Sequence, residues 1–342
     1  MADALLTVEN LSKSFGEKLL FENISFGINA GQKTALIARN GTGKTSLLNI
    51  ITGSALADAG KVVFRNDVRM AYLPQNPLMN ETMTVREYVF ASENKYVQAV
   101  NNYEKALLNI QLSPSTLHEK QLQDAMNTMD TIGAWDYENR VKEILSRLEV
   151  NDLDKTIAML SGGERKKIAL SKVLIDDTNL LILDEPTNHL DIKMIEWLEE
   201  FLSKQNLSIL MVTHDRYFLD NVCHDIIEID KGQLFRYKGT YAYYVEKKAE
   251  RQEIERREIE KAKNLYRTEL DWMRRMPCAR GTKARARIDA FYELKDKALQ
   301  RIDDHRPTLS VKTERIGGKI LEMYNVSKQY EGKNLVDDFT YT

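Results

Sequence analysis

Two adjacent carboxylates, Asp184 and Glu185, end the apolar run Leu180-Leu181-Ile182-Leu183. An uninterrupted aliphatic run of this kind suits a strand buried on both faces of a parallel sheet. The carboxyl ends of such strands are where open α/β sheets bind ligands. One acid there can hold Mg²⁺ while its neighbour acts as a base toward water. A phosphate-binding partner lies upstream, in Ala38-Arg39-Asn40-Gly41-Thr42-Gly43-Lys44-Thr45-Ser46. Backbone N–H groups of Asn40 to Thr45 can surround a phosphate at the start of the helix expected over 46–51, with Lys44 reaching the β/γ oxygens and Thr45 offering a hydroxyl to Mg²⁺. Ala38 stands where that pattern has its first glycine, which a methyl tolerates if the backbone angle stays negative. Gln75 follows a strand, and its amide can reach a metal or a water; read singly, it is equally a solvated turn glutamine. His214 lies at the tip of a second buried strand, Ser208–Val212, placed either to touch a terminal phosphate or to cap the next helix.

The elements that must position these groups follow from pattern and punctuation. Residues 6–26 read as two strands around the turn Phe15-Gly16-Glu17-Lys18, and 33–38 as the strand feeding the phosphate loop. Residues 61–73 are β-rich, ending at Pro74-Gln75-Asn76-Pro77. Residues 81–158 are polar and helical in period, broken at Ser113-Pro114 and Gly133, and read as a helical insert without a catalytic group of its own. Leu160-Ser161-Gly162-Gly163-Glu164 is a polar turn opening an amphipathic helix. A helix over 192–202 and a β-hairpin from 225–231 and 233–237 close the domain near Lys238.

The 342 residues hold 43% hydrophobic and 29% charged residues, a composition with enough apolar material for a real core. No apolar run approaches the ~18 residues of a membrane span, and Met1–Asn10 lacks the features of a secretory signal. The expectation is a cytoplasmic protein with no membrane contact, whose Cys223 and Cys278 are free thiols. A net charge of −2 excludes a globally basic nucleic-acid binder but not a local basic patch.

Such a patch occurs after residue 240. Residues 241–276 read as one long helix with Val245, Gln252, Ile259, Tyr266 and Met273 at heptad spacing. Pro277 and Gly281 break it, and a second helix over 283–303 carries Ile288, Phe291, Ala298 and Ile302. Together they make an antiparallel αα-hairpin whose first helix is about 50 Å long. Its bend gathers Arg267, Arg274, Arg275, Arg280, Lys283, Arg285 and Arg287 against only Glu269 and Asp271, interleaved with Tyr266 and Trp272. Basic residues with stacking aromatics suit RNA or single-stranded nucleic acid. A solvated coiled coil accounts for the stem better than for this tip.

The opening pattern also returns. Val8-Glu9-Asn10-Leu11-Ser12-Lys13-Ser14-Phe15 aligns on Met323-Tyr324-Asn325-Val326-Ser327-Lys328-Gln329-Tyr330, and the pairing runs without a gap to Phe26 on Tyr341. A duplicated domain is expected to begin here. The expected organisation is a first domain over 1–239, a linker hairpin over 240–312, and the first strands of a second, truncated domain over 313–342.

In order, these motifs resemble those of the ABC ATPase superfamily. Residues 38–45 resemble its Walker A loop, Gln75 its Q-loop, Leu160–Glu164 its signature, Leu180–Pro186 its Walker B strand, Asn188–Asp191 its D-loop and His214 its H-loop. Paired domains joined by Lys238–Lys248 and Trp272–Asp289 resemble the ABC-F group, the tip being most similar to its Uup-like branch. The resemblance implies an α/β P-loop fold with a helical subdomain, and a soluble ATPase using ATP and Mg²⁺. Phe15 would stack on adenine, while Asn40, Gly41, Thr42, Gly43, Lys44, Thr45 and Ser46 hold the phosphates. Thr45, Gln75 and Asp184 would hold the metal, Glu185 would polarise water, and His214 would orient the γ-phosphate. Ser161, Gly162, Gly163 and Asp191 would serve a nucleotide shared with a partner domain. That partner is the second ABC domain, or another copy if the fragment self-associates. The resemblance further implies ribosome and tRNA contact through the hairpin in translation or ribosome assembly. The alternatives are a DNA-binding ATPase acting on branched DNA and, less favoured, the ATP-binding subunit of a transporter.

Overall fold

The computed structural model describes residues 4–16, 18–92, 94–274, 285–299, 323–330 and 333–341. Contacts divide the chain into two units, Met1–Gln252 and Glu253–Thr342. The first opens with β1 (Ala4–Phe15), β2 (Lys18–Asn29) and β3 (Lys33–Ala38), then α1 (Lys44–Ile51), β4 (Ala59–Phe64) and β5 (Met70–Leu73). A helical stretch follows: α2 (Val85–Val89), α3 (Lys95–Leu112), α4 (Thr116–Ile132), α5 (Trp135–Arg147) and α6 (Gly162–Ile175). It continues through β6 (Leu180–Asp184), α7 (Ile192–Lys204), β7 (Ser208–Val212), α8 (Arg216–Val222), β8 (Asp225–Asp230) and β9 (Gln233–Lys238). The helix α9 (Tyr241–Arg274) crosses from the first unit into the second, which also holds α10 (Arg285–Leu299), β10 (Met323–Tyr330) and β11 (Lys333–Tyr341).

Two sheets make the frame of the first unit. One has the order β2-β1-β4 and is antiparallel; the other has the order β5-β6-β7-β3-β8-β9, parallel except for β9. The continuous apolar runs of β6 and β7 are explained by burial on both faces. Leu181, Leu183, Ile209 and Met211 face a core shared with the helices, while Leu180, Ile182, Leu210 and Val212 face a second core with α1 and the antiparallel sheet. Successive side chains on a strand point to opposite faces, so each strand serves both cores. Every residue of β6 and β7 is buried, Asp184 among them.

The β1–β2 pair is not a plain ladder. Asn10 and Asn23 adopt left-handed backbone angles, φ 48° and 55°, and the register shifts around them. Asparagine is among the few non-glycine residues that visit this region readily. Gly60 on β4 is required opposite the first irregularity, since a Cβ there would lie 2.4 Å from the Asn10 carbonyl oxygen.

The helical insert is stitched at its base. The Val85 and Arg86 amides donate to the Lys155 and Leu153 carbonyls, and the Ile157 amide donates to Met83. Its entry and exit thus lie side by side, as an insertion into a pre-existing sheet requires. Gly133 ends α4 in a left-handed turn, where the sequence places its break.

The division after Gln252 differs from the border expected near 239, because the first turns of α9 pack on the domain. Glu228 on β8 is buried at 2% exposure. Its carboxylate accepts from Tyr244 Oη (3.0 Å) and Tyr237 Oη (3.2 Å) and pairs with Lys248 (2.6 Å) and Arg251 (2.9 Å). A buried carboxylate with two cations and two hydroxyl donors is a satisfied group. The expected heptad stripe therefore fails at its start. Val245 is 46% exposed while its neighbour Tyr244 is buried, because Glu228 takes the face that carries Tyr244, Lys248 and Arg251.

In the second unit, Tyr266 stacks on Phe291 at 5.4 Å. Glu269 pairs with Arg287 and Glu258 with Lys297. Partner numbers fall on one helix as they rise on the other, so α9 and α10 are antiparallel. β10 and β11 pair antiparallel.

Candidate functional site: a phosphate-loop cleft

The loop between β3 and α1 wraps the start of α1. Gly43, the residue before that helix, has φ 100°, and a Cβ there would stand 3.0 Å from Leu20 Cβ. No other residue type fits both constraints. Ala38 is not among the residues with positive φ, so its methyl is tolerated in place of glycine. Lys44 folds back, its ammonium donating to Ala38 O (2.8 Å) and Asn40 Oδ1 (3.3 Å).

Around this loop lies a cleft of about 650 Å³. It is lined by Phe15, Asn40, Gly41, Gly43, Lys44, Thr45, Ser46, Gln75, Asp184, Glu185 and His214 from the sequence-derived set, and by Lys18, Leu20 and Asn188 besides. Parallel strands with one orientation explain the convergence, since β3, β5, β6 and β7 all deliver their carboxyl ends to one edge. Thr45 Oγ1 donates to Asp184 Oδ2 at 3.2 Å. The Glu185 amide donates to the Val212 carbonyl, and the Glu185 carboxylate lies 3.5 Å from His214 Nε2 while accepting from the His214 amide at 3.3 Å. Glu185 is not the next residue of a straight strand, as its sequence position suggests. It leaves β6 at φ 52°, a strained angle for a non-glycine residue, and turns toward His214. Phe15 stands at the rim, 81% exposed, held by Asp58, which accepts from the Ser14 amide and from Lys13 (2.7 Å each).

Burial sets the electrostatics. It pushes the carboxyls of Asp184 and Glu185 above their usual range, against the opposing pull of Thr45 and Lys166 on the first and of His214 on the second. Burial likewise lowers the Lys44 and Lys166 ammoniums and lifts the Tyr72 hydroxyl to about 12, with Asp184 adding to the effect. Two buried acids facing a cationic loop make an environment that gains from a bound cation. Among the described residues there is no cluster of three or more His, Cys, Asp or Glu side chains suited to a metal. The oxygen donors Thr45 and Asp184, with Gln75 in the same cleft, instead fit Mg²⁺, which takes few protein ligands and completes its shell with water and substrate phosphate.

Ser161, Gly162 and Gly163 do not line this cleft. Ser161 caps α6 in a reciprocal pair with Glu164, and that backbone bond drops the Glu164 carboxyl to about 2. Asp191 caps α7, accepting from the Met194 amide at 2.9 Å, and is also outside the cleft. At the hairpin, Arg267, Arg274, Arg285 and Arg287 are described. Arg287 is the cation that Glu269 takes, its Nε and Nη2 both bonding that carboxylate at 2.9 Å. Arg275, Arg280, Lys283 and Cys278 lie outside the described residues, as does the side chain of Trp272. Cys223 is buried and free, its thiol pushed up to about 12. No helix among the described residues is long and apolar enough to cross a membrane.

Lys18 and Lys166 are the residues that sequence reasoning missed. Lys18 donates to the Gly41 carbonyl at 2.9 Å from the β1–β2 turn. The repeat could have flagged it, since Lys333 stands at the matching place. Lys166 bears no such signal.

A family model described as ABC transporter matches residues 21–188, and its companion extension model, with the same description, matches 227–311. The chain belongs to the ABC ATPase family. It is 40% identical over 337 residues to YfmR of Bacillus subtilis (strain 168), named an uncharacterized ABC transporter ATP-binding protein, over 98% of this chain and 53% of that one. It is 32% identical over 346 residues to the energy-dependent translational throttle protein EttA of Escherichia coli (strain K12), over 100% of this chain and 62% of the relative. The chain therefore spans between about half and 62% of the length of these relatives. Their matches run through the linker and support the ABC-F resemblance. A solved ATP-binding subunit of an ABC transporter, 22% identical, superposes with a TM-score of 0.50 over 68% of this chain and 90% of its own, which bears on the fold alone. As an ABC domain, the first unit is of a kind that binds ATP, typically with Mg²⁺, and hydrolyses it.

Proposed function

We propose that this chain is the nucleotide-binding half and linker of a paired ABC-F ATPase, in which ATP closes two domains and the linker hairpin acts at the ribosome in translation or assembly. The observation that carries the reading is the split of the motifs. Lys44, Thr45, Gln75, Asp184, Glu185 and His214 share one cleft, whereas Ser161, Gly162, Gly163 and Asp191 do not, leaving them for a nucleotide held on another domain. The repeat at Met323 supports a second domain in the longer protein, and the relatives named for translational throttling support the ribosome as the site of action.

In this reading Phe15 stacks on adenine, and Lys44 with the amides of Asn40 to Ser46 grips the phosphates. Thr45, Gln75 and Asp184 hold Mg²⁺, which when bound draws charge from the β/γ oxygens. Glu185 takes the position of a base toward the attacking water, its buried carboxyl being raised toward a useful basicity. His214, beside Glu185, orients the terminal phosphate. Ser161 and Gly163 approach the γ-phosphate of the partner's nucleotide, so turnover needs the second domain or a second copy. The basic tip, Arg267, Trp272, Arg274, Arg275, Arg280, Lys283 and Arg285, contacts RNA, with Arg287 bracing it through Glu269.

The test is sedimentation with ribosomes. The longer protein carrying Glu185→Gln and its second-domain counterpart should be retained on ribosomes only with ATP, and less so as salt rises. Absence from ribosomes together with tight binding to branched DNA would overturn the reading in favour of a DNA-binding ATPase.

A further inference from the structure

We propose that Lys166 is a positioning residue that ties the signature helix to the metal side of the nucleotide cleft. This inference rests on the reading of that cleft as a Mg²⁺–ATP site. Lys166 lies on α6, five residues after Ser161, and is 2% exposed. Its ammonium donates to the carbonyls of Gln75 (2.8 Å), Pro74 (3.2 Å) and Asp184 (3.2 Å). An ammonium has three protons, and here each has one acceptor. All three acceptors are main-chain atoms of the two segments whose side chains, Gln75 and Asp184, face the cleft.

The arrangement suits lysine in particular. A compact point charge can sit among three converging carbonyl dipoles, where the planar fork of an arginine cannot direct donors the same way. Removing it would leave three carbonyls without their charged donor around a side chain that is itself 2% exposed, which is costly. Lys166 thus fixes the spacing between the Gln75 loop and the end of β6, and hence the spacing of two oxygen ligands for one small cation with strict geometry. The same residue belongs to the helix whose cap, Ser161, lies outside the lining of this cleft. A shift of α6 imposed at Ser161–Gly163 would reach Gln75 and Asp184 through little more than one helical turn, with no flexible loop between.

The experiment is a Mg²⁺ titration of fluorescent ATP-analogue binding to the chain carrying Glu185→Gln, with Lys166 intact or changed. Groups that hold metal ligands in place typically govern metal affinity by ~10–100-fold. Lys166→Met should therefore raise the half-saturating Mg²⁺ about 10-fold, while Mg²⁺-free nucleotide affinity stays within about threefold because Lys44 and the loop amides are untouched. Lys166→Gln, which keeps two N–H donors, should fall between, and it decides the matter if Lys166→Met does not fold. Folded variants with unchanged Mg²⁺ dependence, or with Mg²⁺ and nucleotide affinities falling together, would sink the proposal and leave the site reading intact. A parent chain in which Mg²⁺ has no effect on nucleotide binding would instead overturn the site reading and take this inference with it.

Discussion

β1–β2 and β10–β11 are the same device built twice and set in different surroundings. Val8 pairs with Phe26 as Met323 pairs with Tyr341, Leu11 with Ile24 as Val326 with Phe339, and Phe15 with Lys18 as Tyr330 with Lys333. The left-handed residues recur in place, Asn10 and Asn23 in the first, Asn325 and Asp338 in the second. So do the hydroxyls that hold them. Ser25 Oγ accepts from the Asn10 amide as Thr340 Oγ1 does from Asn325, and Ser12 Oγ accepts from Asn23 as Ser327 Oγ does from Asp338. Burial is where they part. Leu11, Phe21, Ile24 and Phe26 are buried in the core over α1, whereas Val326, Val336, Phe339 and Tyr341 are between 39% and 55% exposed. Local geometry follows from the strand pair's own residues; burial needs a helix and a second sheet to pack on.

The comparison can be broken or sharpened by paired substitutions. The largest contrast should come from Phe21→Ala, which is expected to cost ~3–5 kcal/mol in urea unfolding, against ~0.5 kcal/mol or less for the matching Val336→Ala. Equal costs would mean that the second hairpin is already covered in this chain. Next, Phe15→Ala should weaken nucleotide binding by the ~1–3 kcal/mol of a lost aromatic stack, measured by titration calorimetry, while Tyr330→Ala leaves this chain's affinity alone. Asn10→Val and Asn325→Val should cost about the same as each other, ~1–2 kcal/mol, because both place a branched residue at positive φ; unequal costs would break the local-geometry half of the comparison. The smallest effect concerns Asp58, whose carboxyl is held low by the Lys13 ammonium and the Ser14 amide. A depressed folded value means that the clamp stabilises above the ordinary carboxylate range near ~3.9 and is lost as pH falls through the lower folded value. The Ser14 amide should shift in NMR over that acid window, and the Gln329 amide at the matching place should not.

Much of this architecture was legible because its signals are local or periodic. The aliphatic runs of β6 and β7, the glycines before Lys44 and the repeat at Met323 each restrict the backbone by themselves. The gathering of Lys44, Gln75, Asp184 and His214 also followed, since parallel strands bring their carboxyl ends to one edge. What escaped depended on tertiary neighbours. Lys166 reads as one more cation on an amphipathic helix until three carbonyls are found around it. Val245 is the apolar residue at the right spacing, yet Tyr244 is buried, because Glu228 pulls Lys248 and Arg251 inward and rotates that choice of face. A sequence that sets seven cations against Glu269 and Asp271 does not say which one Glu269 takes; in the fold it is Arg287. The turn at Glu185 has no glycine to announce it.

Glu228 carries one more consequence. In the sheet it pairs across from Ile37, the residue before Ala38 and the phosphate loop, so the carboxylate that seats the first turns of α9 lies on the strand hydrogen-bonded to the one that feeds that loop. Binding equilibria linked through a shared element are reciprocal. If nucleotide changes how firmly α9 is seated, a macromolecule that grips α9 must change nucleotide affinity by the same factor. Under that condition the root of the hairpin is as much an input to the cleft as an output from it.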